Sequence, residues 1–152
     1  MNRQNFDALD LKILRDLSLN ARKPYLEIAR EYGVSGAAVH QRIQKLLASG
    51  VITGSQCLIE PTSMGYDTCA YVGIYLREPS RSAQVVEDLK KIPEIIECHY
   101  TTGRYDILVK LVAHNNDHLL HLLQNDIQQL GAARTETLMS FREVLKRPVP
   151  VR

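Results

Sequence analysis

The sequence has few of the features that would place the chain in a membrane or outside the cell. Its three cysteines form no Cys-x-x-Cys pair, so neither a zinc finger nor a disulfide framework is indicated. No apolar run approaches the ~18 residues of a membrane-spanning helix. Asp7, Asp10 and Lys12 interrupt the apolar positions that a signal peptide would need. We therefore expect a cytoplasmic protein without a membrane partner.

The residue combinations of common catalytic and cofactor sites are also missing. There is no glycine-rich phosphate loop and no nucleophile elbow, and Ser35 beside Gly36 suits a helix cap. His114, His118 and His121 have the spacing of one helix face. No cysteine or carboxylate completes a metal-binding set with them, so a solvated helix end is the simpler interpretation. We expect no catalytic residue, no metal and no cofactor, and hence no enzyme.

Neither basic nor acidic residues are in large excess, since the formal net charge is +2. Bulk charge neither favours nor opposes a nucleic-acid partner. Within residues 20–50, however, five basic side chains accompany only two acidic ones. The basic residues are Arg22, Lys23, Arg30, Arg42 and Lys45. Such a cluster is often only a solvated face, so the pattern of the surrounding helices decides its meaning.

Residues 25–54 have the pattern of a helix-turn-helix. One helix is predicted over residues 24–32, and Gly33 can adopt the left-handed conformation that ends it. Ser35 is a suitable N-cap for the next helix, over residues 36–49. Two short amphipathic helices joined at such a corner are typical of a DNA-binding module.

These two helices and one that precedes them share a predicted apolar core. Asp7 suits the N-cap of the preceding helix. The middle helix contributes Leu26 or Ile28 to the core. The first helix contributes Leu9, Ile13, Leu14 and Leu17, and the third contributes Val39, Ile43, Leu46 and Leu47.

The third helix starts with small residues and continues with polar ones. A recognition helix enters the major groove by its N-terminal end, where bulky side chains would hold the backbone away. Polar side chains beyond that end can reach base edges or phosphates. The predicted DNA-binding residues are Ser35, Gly36, Ala37, His40, Gln41, Arg42, Gln44 and Lys45. The alternative is a surface helix with ordinary polar residues.

The composition changes after the third helix. This change predicts a wing and then a domain boundary. Residues 51–59 match a short β-hairpin, the wing. Residues 61–67 contain a proline and a glycine and are the expected linker. We therefore predict a winged helix-turn-helix domain over residues 1–60 and a second domain over residues 68–152.

The second domain is predicted to be an α+β, ferredoxin-like fold with the order β-α-β-β-α-β. Strands are expected at residues 68–76, 95–102, 105–113 and 132–139, and helices at 81–91 and 116–129. Residues 141–145 are a candidate fifth strand. Helices cover one face of such a sheet, and a second copy of the chain is the economical cover for the other. Residues that could supply this open face are Tyr71, Gly73, Tyr75, Leu108, Lys110 and Val112.

Short motifs follow one another in order along nearly the whole chain. They are Phe6-Asp7-x-x-Asp10-x-x-Ile13-Leu14, Glu27-Ile28-Ala29, Gly33-Val34-Ser35, Val39-x-x-Arg42-Ile43-x-x-Leu46, Gly50-Val51-Ile52-x-Gly54 and Thr102-Gly103-Arg104-Tyr105-Asp106. Any one of them is unspecific. Together, in this order and spacing, they resemble the leucine-responsive regulator (Lrp/AsnC, "feast/famine") family of transcriptional regulators.

The resemblance implies a transcription factor that dimerises through its ferredoxin-like domain and assembles into tetramers or octamers. It also implies that an amino acid or related metabolite binds between dimers and alters assembly or DNA affinity. Carried onto matching positions, the effector-binding residues are Tyr100, Thr102, Gly103, Tyr105 and Asp106, with Ala133, Arg134 and Thr135 from a neighbouring subunit. Arg104 belongs to the same loop, where family members often carry an acidic residue.

The loop residues suit an amino-acid ligand on physical grounds as well. Gly103 lets the backbone turn and expose amides to a carboxylate, and Asp106 offers an acceptor to an ammonium group. The alternative is a plain hairpin turn that an aspartate caps. Our hypothesis for Arg104 is a preference for an acidic or uncharged ligand, or a weak response to amino acids.

The sequence therefore predicts a sequence-specific regulator that binds double-stranded DNA, associates with the nucleoid and senses an amino acid or related metabolite. One alternative is an architectural DNA-coating protein with little effector response. Another is an enzyme or a stand-alone metabolite-binding module, which the complete helix-turn-helix opposes.

Overall fold

The computed structural model describes residues 5–152, and the chain divides into two units. The first contains the described residues up to Cys57 together with Leu145–Arg152, and the second is Leu58–Val144. The last residues thus group with the helical unit, whereas the sequence-based division assigns them to the domain of residues 68–152.

Three helices build the first unit. They are α1 (Ala8–Leu19), α2 (Tyr25–Tyr32) and α3 (Gly36–Ala48). Asp7 and Ser35 cap α1 and α3 as predicted, each accepting a hydrogen bond from the backbone amide three residues on. Gly33 ends α2 with a φ of 67°, a left-handed conformation that glycine adopts without a Cβ clash.

The core of the first unit lies where these helices meet. Its buried members are Ile13, Ile28, Ala29, Val39 and Ile43. Leu26 is 63% exposed, so Ile28 is the buried residue of the two proposed for α2. The prediction was wrong for Leu47, which is 41% exposed, because it lies about 100° around the helix from the buried Leu46.

The predicted β-wing is not formed, because residues 51–59 contain no strand. The amides of Val51 and Ile52 donate to the Leu46 carbonyl at 3.0 and 3.1 Å, respectively. These donors therefore close the C-terminus of α3 instead of starting a hairpin. Ile52 also packs against the core of the helical unit.

A four-stranded antiparallel sheet and two helices form the second unit. The strands are β1 (Thr68–Leu76), β2 (Ile95–Tyr100), β3 (Ile107–Ala113) and β4 (Ala132–Ser140), and the helices are α4 (Ser82–Leu89) and α5 (Asn116–His121). The spatial order is β2-β3-β1-β4. This confirms the predicted α+β, ferredoxin-like arrangement.

Two connections differ in detail from the expected elements. The helix predicted over residues 116–129 continues beyond α5 as a wider π-helical segment, Leu122–Ile127, and a 3₁₀ turn, Gln128–Leu130. The expected linker, residues 61–67, contains a 3₁₀ helix over Pro61–Met64. No helix in the described part of the chain is long and apolar enough to cross a membrane.

The two faces of the sheet have different surroundings. Ala70, Val72 and Ile74 of β1 are buried against residues of the two helices, such as Leu89 and Leu119. The intervening residues point to the opposite face, because side chains alternate along a strand. Register places all six predicted open-face residues on that side, with Tyr71 opposite Lys110, Gly73 opposite Leu108 and Cys69 opposite Val112.

The candidate fifth strand at residues 141–145 is also absent. Ser140 pairs with Cys69, and β1 begins at Thr68, so the chain leaves the sheet where β1 offers no further partner. Phe141 is fully exposed. Glu143 instead reaches Lys110, whose Nζ atom lies 3.1 Å from its carboxylate.

Candidate functional sites

The outer surface of α3 presents polar side chains to solvent. Its exposed residues among those predicted to bind DNA are Ala37, His40, Gln41, Gln44 and Lys45. The Ser35 side chain accepts a hydrogen bond from the Ala38 amide at 3.1 Å, so its hydroxyl oxygen is engaged in capping. The N-terminal turn of α3 is thus rigidly formed, with a row of polar residues following it.

Gly36 has a packing role as well as being small. A Cβ at this position would lie 2.7 Å from the Cδ2 atom of Leu26, so that leucine would have to change its rotamer. The glycine therefore accommodates a side chain of α2 at the corner. The sequence predicts only the close approach of DNA at this glycine, not its packing against Leu26.

Arg42, which the sequence predicts to contact phosphate, has carboxylate partners within the helical unit. Its Nη1 atom donates to both carboxylates of the α1 cap, Asp7 and Asp10, and lies 3.0 Å from Asp10 Oδ1. Asp7 and Asp10 also bond reciprocally to each other's backbone amides. Arg42 therefore joins α3 to the start of α1, and we assign it a structural, positioning role.

The same hydrogen bonds affect the acidic partner. The Asp10 amide, and then the Arg42 guanidinium, hold the pKa of Asp7 below its ordinary value of 3.8. Asp10 is only 7% exposed. A nearly buried carboxylate of this kind needs its cationic partner, because an unpaired buried charge is costly.

Lys23 is likewise paired within the helical unit. Its Nζ atom lies 2.8 Å from Asp16 and 2.5 Å from Glu31. Hydrogen bonds to Asp16 first, and then to Glu31, raise the pKa of Lys23. Of the five predicted basic residues, only Arg22, Arg30 and Lys45 form no ion pair with a described residue.

Tyr25 lies beside the predicted DNA-binding residues of α3 but is not one of the residues predicted from the sequence. It begins α2, is 38% exposed, and its ring centroid lies 6.1 Å from that of His40 on α3. Its position in the first turn of α2, on the solvent-exposed side of the helix, is the signal that could have identified it.

The loop between β2 and β3 is held firmly in place. Gly103 has a φ of 101°, which favours glycine. Thr101 Oγ1 donates to the Tyr105 carbonyl at 2.7 Å. Asp106 Oδ2 accepts from the Leu76 amide at 2.8 Å, and the Asp106 amide donates to the Ile74 carbonyl. One Asp106 carboxylate oxygen is therefore already engaged in holding the loop to β1.

The ring of Tyr105 covers Gly73 on the open face of the sheet. A Cβ at Gly73 would lie 2.6 Å from the Cγ atom of Tyr105, which is incompatible with the present ring position. The ring also meets Tyr75 edge-on, with centroids 5.4 Å apart. The missing side chain at Gly73 thus lets the loop fold back onto β1.

Four side chains converge on Glu136, and we call these five residues the Glu136 cluster. Tyr75 Oη donates to Oε1 at 3.1 Å and Tyr105 Oη to Oε2 at 3.0 Å. The Nη2 atoms of Arg104 and Arg134 donate to Oε1 at 3.2 and 2.8 Å, respectively. The Arg134 guanidinium also lies 4.2 Å from the ring centroid of Tyr75.

These contacts stabilise the ionised form of Glu136. The hydrogen bond from Tyr105, with that from Tyr75 and the two arginine charges, holds the pKa of Glu136 below its ordinary value of 4.5. The hydrogen bond to Glu136 also raises the pKa of Tyr105. The cluster therefore contains a carboxylate anion beside two cations.

The structure brings part of the predicted effector site together within one chain. The starts of β3 and β4 lie at the same end of the sheet, since both strands pair antiparallel with β1. Arg104 and Tyr105 consequently meet Arg134 through Glu136. Glu136 is not among the residues predicted from the sequence, and Tyr75 is predicted only as an open-face residue.

The remaining predicted effector residues lie near this end of the sheet without joining the cluster. Tyr100 and Thr102 are exposed, Ala133 is exposed at the start of β4, and Thr135 pairs with Ile74. None of the four forms a hydrogen bond or ion pair with the Glu136 cluster among the described residues.

The predicted histidine face is only partly assembled. His114 stacks between Tyr66, at 4.4 Å, and His118, at 5.1 Å between centroids. Its Nδ1 atom lies 2.7 Å from the Gly65 carbonyl, and His118 Nε2 lies 3.7 Å from Glu94. His121 faces Asp126 instead. Of the three, His118 links α5 to Glu94, whereas His114 precedes α5 and His121 pairs with the segment that continues it.

Comparison with known proteins identifies both units. Residues 6–47 match the AsnC-type helix-turn-helix domain, and residues 69–150 match the Lrp/AsnC ligand binding domain. The regulatory protein AsnC of Haemophilus influenzae is 38% identical over 146 residues, covering 95% of this chain and 97% of that protein. The chain belongs to the Lrp/AsnC family. It is accordingly a helix-turn-helix transcriptional regulator.

Solved structures agree with this assignment. The structure of Escherichia coli AsnC matches with a TM-score of 0.90 at 35% identity, covering 96% of this chain and 99% of that one. A transcriptional regulator of Neisseria meningitidis, solved as a complex with L-methionine, matches with a TM-score of 0.84. The match covers 94% of each chain at 21% identity, so it is evidence only for a shared fold.

Proposed function

We propose that this Lrp/AsnC regulator reads DNA sequence through the exposed surface of α3 and alters its assembly or DNA affinity when an amino acid or related metabolite binds. The observation that carries the DNA half is the row of exposed polar residues beyond the Ser35 cap. The proposed contacts are Ser35, Gly36, Ala37, His40, Gln41, Gln44 and Lys45, with Tyr25 added. For Arg42, which the sequence predicts to contact phosphate, we propose instead that it positions α3 on α1, because Asp7 and Asp10 both accept hydrogen bonds from it.

The effector half concerns the loop between β2 and β3 and the start of β4. The proposed residues are Tyr100, Thr102, Gly103, Arg104, Tyr105, Asp106, Ala133, Arg134 and Thr135. The match to a ligand-binding domain over residues 69–150 supports this location. The positive φ of Gly103 exposes backbone amides to a ligand carboxylate, and the second oxygen of Asp106 suits its ammonium group. A neighbouring subunit would complete this site.

A second copy of the chain is the proposed cover of the open sheet face. On that face Tyr71 is half-buried and its neighbour Leu138 on β4 is 61% exposed, whereas Val112 is already buried within the chain. Exposed apolar residues beyond β4, such as Phe141 and Val144, extend it. An apolar surface of this kind is typical of a protein–protein interface. We propose a homodimer that assembles further into a tetramer or octamer and works on cytoplasmic, nucleoid DNA.

Genomic binding-site selection with the full-length protein, with and without a mixture of the twenty amino acids, tests the proposal. We expect a discrete set of enriched sites whose occupancy changes when the amino acids are present. Uniform coating of DNA that amino acids leave unchanged would instead favour the architectural alternative. If no DNA is enriched or coated, the DNA half of the proposal fails.

A further inference from the structure

The Glu136 cluster has more hydrogen-bond donors than its own carboxylate can satisfy. Oε1 receives three donors, from Tyr75, Arg104 and Arg134, although a carboxylate oxygen has two lone pairs. Each guanidinium offers five N–H groups, and only one nitrogen of each donates to Glu136. The side chains of Arg104 and Arg134 are 72% and 60% exposed. Both guanidinium groups therefore reach solvent with donors that Glu136 does not use.

The charges in the cluster do not balance either. Arg104 and Arg134 are both cationic, and Glu136 is the only carboxylate within ion-pair distance of either among the residues that the structure describes. One positive charge is left without a partner. A monovalent anion added here would neutralise the cluster, and guanidinium groups bind carboxylates in a planar, bidentate fashion.

The cluster is also built to hold the arginines in position. The Cζ atom of Arg134 lies 4.2 Å from the ring centroid of Tyr75, within cation–π distance. Tyr75 and Tyr105 pack edge to face and both donate to Glu136. Arg104 and Tyr105 belong to the loop of the proposed effector site, so a ligand gripped by that loop would lie next to the spare donors.

We propose that the Glu136 cluster is the specificity pocket of the effector site, and that it binds the side-chain carboxylate of a dicarboxylic amino acid. This inference rests on the proposed function, which places the ligand's α-amino and α-carboxyl groups at the Gly103 loop. Glu136 orients the two guanidinium groups, and the unused N–H donors of Arg104 and Arg134 contact the ligand. Because Glu136 is itself an anion, it repels the ligand's side-chain carboxylate and so limits the affinity of the site for the ligand.

Calorimetric titration of the full-length protein with matched ligand pairs tests this. The pairs are L-aspartate against L-asparagine and L-glutamate against L-glutamine, which differ in charge at nearly constant shape. Losing a charge-assisted bidentate contact should weaken binding at least about tenfold, so we expect each acid to bind tighter than its amide by that factor. An amide that binds as tightly as its acid would overturn the inference.

Variants of the Glu136 cluster test the same preference for acid over amide ligands in a second way. Arg104→Gln and Arg134→Gln should each reduce the preference for acid over amide while leaving amide affinity in place. Arg81→Gln, a matched change of an exposed arginine outside the cluster, should keep the preference. Glu136→Gln should raise the affinity for the acids, because an acceptor remains while its competing charge is gone. A preference that survives both cluster arginine substitutions contradicts the proposal.

The outcomes separate this inference from the proposed function. A chain that binds DNA and responds to an amide or apolar amino acid, without preferring the acids, overturns the inference and leaves the proposed function standing. A chain that binds none of the twenty amino acids overturns the inference together with the effector half of the proposed function.

Discussion

At the residue scale, two basic side chains on the same helix have opposite surroundings. Arg42 donates to Asp7 and Asp10 of the α1 cap, whereas Lys45 is exposed and forms no ion pair with a described residue. The partners of Arg42 lie 35 and 32 positions earlier in the sequence. Helix periodicity alone cannot show such a contact, because it depends on how α1 and α3 pack.

We expect Arg42→Gln to lower the thermal midpoint of unfolding, because the nearly buried Asp10 loses its cationic partner. Lys45→Gln should leave that midpoint unchanged, weaken DNA binding for all sequences and lower the salt slope by about one unit. Circular dichroism and DNA titrations at several salt concentrations measure both effects. The assignment is wrong if Arg42→Gln melts normally and changes the salt slope as Lys45→Gln does.

Glu136 predicts a pH dependence with a definite sign. Its pKa is lower in the folded chain than the ordinary 4.5, first through Tyr105 and then through Tyr75 and the arginines. Its contribution to stability is therefore present above pH 4.5 and is lost as pH falls through the folded pKa. Urea unfolding between neutral and acidic pH should show a shallower acid loss for Glu136→Gln than for the native chain. If the unfolding free energies of the native chain and of Glu136→Gln fell in parallel as the pH is lowered, the prediction would be contradicted.

At the element scale, the sequence predicts helices and strands where local signals are strong. The caps Asp7 and Ser35 and the stop at Gly33 are local, and all three are found. The predictions of the wing and of the fifth strand are wrong because a strand forms only beside a partner strand. A short sequence pattern does not show whether such a partner is present. The amides of Val51 and Ile52 donate to the Leu46 carbonyl of α3. Because β1 begins at Thr68, it offers no partner to residues 141–145.

The packing of the effector loop on the sheet depends on the missing side chain at Gly73. We expect Gly73→Ala to destabilise the chain by about 1–3 kcal/mol, because the new methyl group overlaps the ring of Tyr105. The double variant Gly73→Ala with Tyr105→Ala should show no extra loss beyond that of Tyr105→Ala alone. Chemical unfolding measures all three. Additive losses in the double variant would show that the clash is not the cause.

At the scale of the whole molecule, a second copy of the chain is the proposed cover for the sheet face that lacks helices. Sequence order alone predicts this ferredoxin-like unit, because β-α-β-β-α-β places both helices on one side. The details of the candidate site were harder to predict. Glu136 lies 61 positions from Tyr75 and 31 from Tyr105, and only the strand register brings them together.

The proposed dimer can be tested with two exposed leucines. Leu138→Glu, on the open face beside Tyr71, should shift the mass in solution towards the monomer, because it places a charge in the proposed interface. Leu120→Glu, a matched change on α5 at 50% exposure, should leave the mass unchanged. Light scattering after size exclusion measures both. Equal masses for the two variants would place the interface elsewhere.

The most direct test of the central claim is selection from a randomised DNA library with the full-length native chain and its Gln41→Ala variant. The account predicts that the native chain enriches two related half-sites about one helical turn, ~10 base pairs, apart. It also predicts that Gln41→Ala relaxes the preference at one base of each half-site while retaining overall binding. Enrichment of no site, or an unchanged preference in the variant, would contradict sequence reading by α3.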